Sequence, residues 1–375
     1  MRIGILGGGQ LARMMVSAGL ELGLDFVVLD PSTDACAGRC ATLVNADWAA
    51  ASDQPELLSC DRITCDFENV PASVLERLSS SLSVRPGPRA FEAAQDRLVE
   101  KTLFRDLGIP VPDFVAVSSR PDLLGAVEQL GFPSVLKTRR LGYDGKGQAV
   151  LRSHEDLELA WQTLGDHPLI LEAWVPFQHE FALTAVRSAG GETCFYPPSF
   201  TVHEQGILRL AWAPADMEPA LVSAAKAHVG RLMEHLDYVG CLTLELFAGD
   251  FGLLANEFAP RVHNSAHWTI EGSETSQFEN HLRAVCDLPL GSTRPRGKSL
   301  MLNWIGAMPP AKLLLSVDGL GWHDYGKAER PGRKVGHATL VADSRETLLQ
   351  RIEKLRPLLD AQTASLLSGD ITPLG

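Results

Sequence analysis

No apolar run in this chain approaches the ~20 residues that a membrane-crossing helix needs. The opening Met1-Arg2-Ile3-Gly4-Ile5-Leu6 runs straight into glycines and predicts no secretion signal. There is no Cys-x-x-Cys pair and no His/Cys set at zinc spacing. The 7 Cys are scattered, as reduced thiols in the cytoplasm would be. Basic charge is in deficit, with 34 Lys+Arg against 46 Asp+Glu and a net charge of -12. That balance argues against a general nucleic-acid or membrane-surface binder, but leaves room for a small anion held by a local basic cluster. Internal repeats, a low-complexity tail and a Walker A motif are also absent. What remains is a globular composition, 45% hydrophobic and 21% charged, over 375 residues, a length that predicts two or three domains.

The pattern begins with a strand over Arg2–Leu6, a glycine turn, a helix from Gln10 to about Leu22 and a second strand over Phe26–Leu29. That is a βαβ unit with a parallel sheet. Ile63–Phe67 continues it, and Ser83–Pro88 reads as a boundary. One helix is expected from Ala90 to about Leu107, then alternating strands and helices as far as His235. After Pro295 come short strands and a last helix near Thr347–Leu358.

Gly7-Gly8-Gly9-Gln10-Leu11-Ala12 fits G-x-G-x-x-A, and Asp30 ends the second strand where a ribose-binding acid would stand. An NAD(P) site is one reading. The other is that any helix start behind a glycine turn can hold a phosphate. Downstream, Lys137 ends an apolar strand and is followed by Gly142, Gly145 and Gly147 with Lys146 among them. This is either a loop cradling phosphates or a mobile turn. Glu172-Ala173-Trp174-Val175 can present backbone groups to an adenine edge, and Glu180 can accept ribose hydroxyls; a plain buried strand with two solvated acids is the alternative.

The segments Leu242–Phe247 and Gly252–Phe258 form a hairpin. With Asp250-Phe251-Gly252 as a three-residue loop, Gly249 faces Leu253 and Glu245 faces Glu257. Two opposed carboxylates repel, and either a cation or a salt bridge for each removes the penalty. Mg²⁺ held by one or two carboxylates and substrate phosphates is the usual arrangement, with Asn256 as a neutral neighbour. Arg261, His263, Asn264 and His267 follow within seven residues and can hold an anion or a transferring phosphoryl group. Lys327, Arg330, Arg333 and Lys334 form a later basic cluster, which is a solvated loop or an anion clamp.

Together these segments resemble the N5-carboxyaminoimidazole ribonucleotide synthases, a family of ATP-grasp ligases of purine biosynthesis. The resemblance runs in order through residues 7–14, Arg97 with Lys101, 141–148, 256–269, 276–283 and 332–337. Asp66 stands where that family usually has Glu, and Ala12 and Ala266 where it usually has Gly.

The fold implied is α/β and α+β. It comprises a Rossmann-like domain at 1–95, an ATP-grasp domain at 96–292 and a small β-rich domain at 293–375. By the same resemblance ATP is held by Arg97, Lys137, the loop Gly142-Tyr143-Asp144-Gly145-Lys146-Gly147-Gln148, Glu172 to Val175, Glu180, His203, Asn256 and Glu257. Mg²⁺ sits on Glu245 and Glu257. The ribonucleotide lies among Gln10, Leu11, Glu68, Tyr143, Asp144, Lys146, Arg261, His263, Asn264 and the late basic cluster. Arg261, Lys137, Asp144 and His267 are the candidates for catalysis, bicarbonate is the co-substrate, and a homodimer is implied.

Overall fold

The computed structural model describes residues 1–142 and 145–367. The first sheet is wholly parallel, in the order Thr42–Asn45, Asp25–Asp30, Arg2–Leu6, Arg62–Cys65, Ser83–Val84. Its inner strands are buried at successive residues, Ile5 with Leu6 and Val27 to Leu29, because side chains on both faces enter cores. Ile3, Ile5 and Val28 pack into one cluster with the helix Gln10–Leu20; Leu6, Val27, Leu29 and Ile63 pack into another. The strand order reverses beside Arg2–Leu6, so a crevice opens at the carboxyl ends of that strand and of Arg62–Cys65. Gly7 (φ 101°) turns the chain there, and the Asp66 amide donates to the Leu6 carbonyl at 2.9 Å.

The helix expected from Ala90 to Leu107 is two, Pro88–Ala94 and Arg97–Asp106. Asp96 causes the break: its carboxylate accepts from Leu98 N at 3.0 Å and from Arg139 Nη2 at 2.7 Å. A short acidic side chain caps a new helix better than it continues an old one, a difference of about 1 kcal/mol. The same contact ties the helix start to the end of the strand Ser134–Thr138. That strand belongs to a four-stranded antiparallel sheet ordered Phe114–Val117, Leu169–Ala173, Ser134–Thr138, Gln148–Leu151. Helices Arg120–Leu130 and Asp156–Leu164 contribute to its core.

The third sheet has nine strands. From Gly252–Ala259 at one edge it passes through Gly240–Gly249, His179–Arg187, Ser199–Glu204 and Ile207–Ala213, and then into Lys298–Ile305, Lys334–Ala342 and Leu320–Asp324, while the ninth, Thr193–Phe195, pairs with His179–Arg187 off this path. The strands beyond residue 293 therefore extend the sheet of the central region, through Leu210↔Leu302 to Ala213↔Ser299. Local alternation carries no trace of that pairing. Helix Gln277–Val285 bridges this sheet to the first: His281 accepts from Cys241 N at 3.1 Å and bonds Thr64 Oγ1 at 2.8 Å.

The hairpin register differs from expectation. Gly249 pairs with Gly252, so the loop is the two residues Asp250-Phe251, with Gly252 left-handed at φ 86°. Leu246 then faces Ala255 while Leu244 faces Phe258. Glu245 thus stands opposite two residues, Asn256 and Glu257, at a β-bulge. A bulge re-aims the side chains that flank it.

Candidate active site

Three elements converge on the carboxylate hairpin. The helix Arg97–Asp106 supplies Arg97, whose Nη1 meets Glu257 Oε2 at 2.7 Å and whose Nη2 reaches the Gly142 carbonyl at 3.3 Å. The small sheet supplies Lys137 and Glu172, joined at 2.9 Å, and Lys101 from the helix closes on the same carboxylate at 3.5 Å. The large sheet supplies Glu180 and His203, 2.9 Å apart. Glu257 therefore has a salt bridge, the alternative to a cation for an opposed carboxylate, whereas Glu245 lies 3.6 Å from His263 Nε2.

The electrostatics follow from those partners. Burial pushes the Glu245 carboxyl up to about 7, helped by the charge of Glu257 and opposed by His203. Burial pushes Glu257 the same way, but Arg97, through charge and hydrogen bond, holds it below its ordinary value. Glu172 is buried too, yet Lys101 and Lys137 hold it down to about 2. Burial drives the His203 ring toward neutrality, and Glu180 and Glu245 outweigh it and raise the ring above its ordinary value. A carboxyl whose ionisation is resisted by burial, beside one held ionised, suits a cation with further oxygen ligands from a phosphate. Among the described residues no group of three or more His, Cys, Asp or Glu gathers as a metal cage.

The loop after Lys137 keeps two of its three glycines in left-handed positions, Gly145 at φ 75° and Gly147 at φ 72°. A Cβ on Gly145 would stand 2.6 Å from the Gln205 carbonyl, so the loop rests on the turn at 205–206. Gln148 pairs with Lys137 in the sheet. Lys146 is exposed on this loop, while Tyr143 and Asp144, expected to touch both ligands, lie outside the described residues. Trp174 remains 44% exposed beside Ala173 and Val175, and exposed Phe177 stacks on Phe247 at 4.7 Å. That pair of aromatic rings was missed in the sequence because its two members lie seventy residues apart.

The second half of the site lies at the switch point of the parallel sheet. Arg261 Nη2 meets Glu68 Oε2 at 2.5 Å, and Lys327 bonds Gln10 at the start of the first helix, where Leu11 is buried. Burial shifts the Lys327 ammonium down, opposed by Cys36 and Asp66 and reinforced by Arg333 and Lys334. Arg333 and Lys334 are half-buried; Arg330 is exposed, with its amide on the Gly306 carbonyl at 3.0 Å. Asn264 has both amide atoms buried with no partner. His263 is half-buried, and its ring bonds Ser265 Oγ at 2.9 Å. His267 is 1% exposed and meets Gln277, which places it behind His263 instead of in the open cleft.

Asp30 does not play the part of a free ribose-binding acid. Its carboxylate accepts from Gly8 N and Ser32 N, both at 2.7 Å, and so braces the glycine turn. Asp66 does the same from the next strand, accepting from Ala12 N at 2.8 Å.

Residues 1–95 match the ribonucleotide synthetase preATP-grasp domain family, 102–278 the ATP-grasp domain family, and 299–351 the phosphoribosylaminoimidazole carboxylase C-terminal domain family. The N5-carboxyaminoimidazole ribonucleotide synthase of Pseudomonas aeruginosa is 50% identical over 362 residues, covering 96% of this chain and 100% of that protein. The chain belongs to the N5-carboxyaminoimidazole ribonucleotide synthase family. It is an ATP-grasp ligase. The Thermus thermophilus synthetase superimposes with a TM-score of 0.91 at 50% identity, over 96% of this chain and 98% of that one. The Aspergillus clavatus synthase, solved with ADP and 5-aminoimidazole ribonucleotide, gives 0.87 at 31% identity, over 95% and 98%.

Proposed function

We propose that this chain carboxylates 5-aminoimidazole ribonucleotide with bicarbonate at the expense of ATP, in purine biosynthesis. The full-length similarity to synthases of that name carries the reading. The two-part site supports it: an ion-paired half suited to a nucleotide triphosphate, and a second half with an unpartnered amide and a lysine at a helix start.

A bicarbonate oxygen attacks the γ-phosphorus; the bond to the β-phosphate oxygen breaks, and ADP leaves with the electron pair. The exocyclic amine of the ribonucleotide then bonds to the carboxyl carbon, phosphate departs, and the amine loses its proton. Mg²⁺ on Glu245 and Glu257 would neutralise charge on the transferring group. Lys137 stands in line to turn from Glu172 to a phosphate oxygen, and Arg97 to turn from Glu257. Glu172 to Val175 border the adenine, and Glu180 with His203 the ribose. Arg261, His263 and Asn264 face the carboxyl-bearing intermediate, with Gln10, Leu11, Glu68, Lys327, Arg333 and Lys334 around the ribonucleotide. Enclosure matters because water destroys a mixed anhydride.

The test is ADP release with Mg²⁺-ATP, with and without the ribonucleotide and bicarbonate. Formate in place of bicarbonate distinguishes a related ligase, and release in its presence alone would overturn the acceptor. A homodimer is the expected assembly, checked by light scattering. The cytoplasm is the location that goes with the pathway. No described helix is long and apolar enough to cross a membrane.

A further inference from the structure

Gln277 opens the helix Gln277–Val285 and is fully buried, yet its amide is spent on the loop that carries Arg261, His263, Asn264 and His267. Its Oε1 accepts from the His263 amide at 2.8 Å, and its Nε2 donates to the His263 carbonyl at 2.7 Å. Reversing the side-chain amide would set N–H against N–H and C=O against C=O. The His263 peptide groups therefore fix which end is nitrogen, a choice that coordinates alone leave to the hydrogen-bond network.

The consequence falls on His267. The same Nε2 lies 3.1 Å from His267 Nδ1. A carboxamide nitrogen only donates, so Nδ1 must accept, and a neutral ring then carries its proton on Nε2. The ring is buried against Phe278 and His337, at 5.4 and 4.9 Å between centroids. Gln277 is itself held in place. Its backbone N–H donates to Thr269 Oγ1 at 3.0 Å, that hydroxyl donates to the Ala266 carbonyl at 2.7 Å, and Cys241 Sγ lies 3.2 Å from the Gln277 carbonyl. His281, four residues along the helix, spans to Thr64 on the first sheet.

We infer that Gln277 is the positioning residue of the ribonucleotide half: it sets the His263 backbone and locks His267 as the Nε2–H tautomer. The helix that carries it also touches the domain bearing the glycine turn. Docking of that domain is thereby linked to the orientation of the anion-binding loop. The kinetic part of this inference rests on the proposed function; the tautomer does not.

The test begins with histidine labelled in ¹⁵N in the intact protein, where two-bond correlations report each ring's tautomer and a His267→Asn variant assigns the signals. The wild-type ring should carry its proton on Nε2; a proton on Nδ1 overturns the inference without need of a variant. In Gln277→Glu the carboxylate can only accept, so His267 should take up a proton on Nδ1. The KM for the ribonucleotide should rise about tenfold, as for one lost hydrogen bond in a buried site, with the KM for ATP nearly unchanged. Gln277→Met removes the amide without adding charge, and should give the same split if the glutamate variant fails to fold. Equal shifts in both KM values with a falling melting temperature would make Gln277 merely structural. ADP release indifferent to the ribonucleotide in the wild type would sink the substrate reading and leave the tautomer to stand.

Discussion

On the nucleotide side, Glu257 holds Arg97 at 2.7 Å, Glu172 holds Lys137 at 2.9 Å and Glu180 holds His203 at 2.9 Å. On the proposed ribonucleotide side, the Asn264 side chain has no partner among the described residues, and the His263 backbone is pinned by a neutral amide. Burial, with Arg261 beside it, holds the His263 ring far below its ordinary value. The first half is organised by charge before any ligand arrives, so phosphate has to replace carboxylates that already satisfy the cations. The second half keeps one ion pair, Arg261 with Glu68, but its loop is organised by hydrogen bonds of fixed direction. A ligand on that loop meets donors and acceptors and has a single ion pair to displace. Ion pairs tolerate exchange because Coulomb attraction is weakly directional; a pinned backbone does not.

The largest effect that would break this contrast is on stability. Lys101 is fully buried against Glu172, and Lys101→Met leaves that buried carboxylate one cation short. A loss of about 3–5 kcal/mol in urea unfolding is expected; a loss below about 1 kcal/mol would mean that the ion pairs do not organise the first half. Next comes turnover. Glu257→Gln should lower kcat by about 10²–10³, as for loss of one electrostatic stabiliser of a developing charge, with a small change in the KM for ATP. Near-normal kcat would count against the metal role proposed for Glu257. Asn264→Ala should raise the KM for the ribonucleotide about tenfold and leave that for ATP alone. Equal changes in both would erase the division between the halves.

The smallest effect is in acid. Burial pushes the Glu172 carboxyl up, but Lys101 and Lys137 hold it down to about 2, below its ordinary 4.5. A depressed carboxyl contributes stability that is fully present above its unfolded value and is lost as pH falls toward its folded one. Acid unfolding should therefore draw on this pair between about pH 4.5 and 2. The midpoint should move toward neutrality in Lys101→Met, as followed by circular dichroism, and an unmoved midpoint would discount the pair.

Much of this molecule was readable in its sequence where the signal is local. The βαβ opening, the strand ending at Lys137 and the two hairpin strands stand close to where alternation and punctuation put them. The losses have physical causes. Asp96 breaks a helix because Arg139, more than forty residues away, shares its carboxylate. A bulge at Glu245 changes which residues oppose it, and the hydrophobic alternation on either side is the same with or without that bulge. The strands beyond residue 293 join the large sheet through a pairing that has no local signal in the sequence. In the site, Glu245, Glu257, Arg261 and His263 were visible as chemistry crowded into a short stretch. Lys101 was seen only as a neighbour of Arg97 on a helix face. Gln277 lay within a motif, without a role, because sequence does not show that its side chain meets the His263 backbone and the His267 ring.

The most direct test of the whole account is ADP release from Mg²⁺-ATP, with the ribonucleotide present and bicarbonate either supplied or stripped from the buffer. Release that requires both is the predicted result, since the two halves of the site then act on one reaction. ADP formed at full rate without the ribonucleotide, or none at all from folded protein, would contradict it.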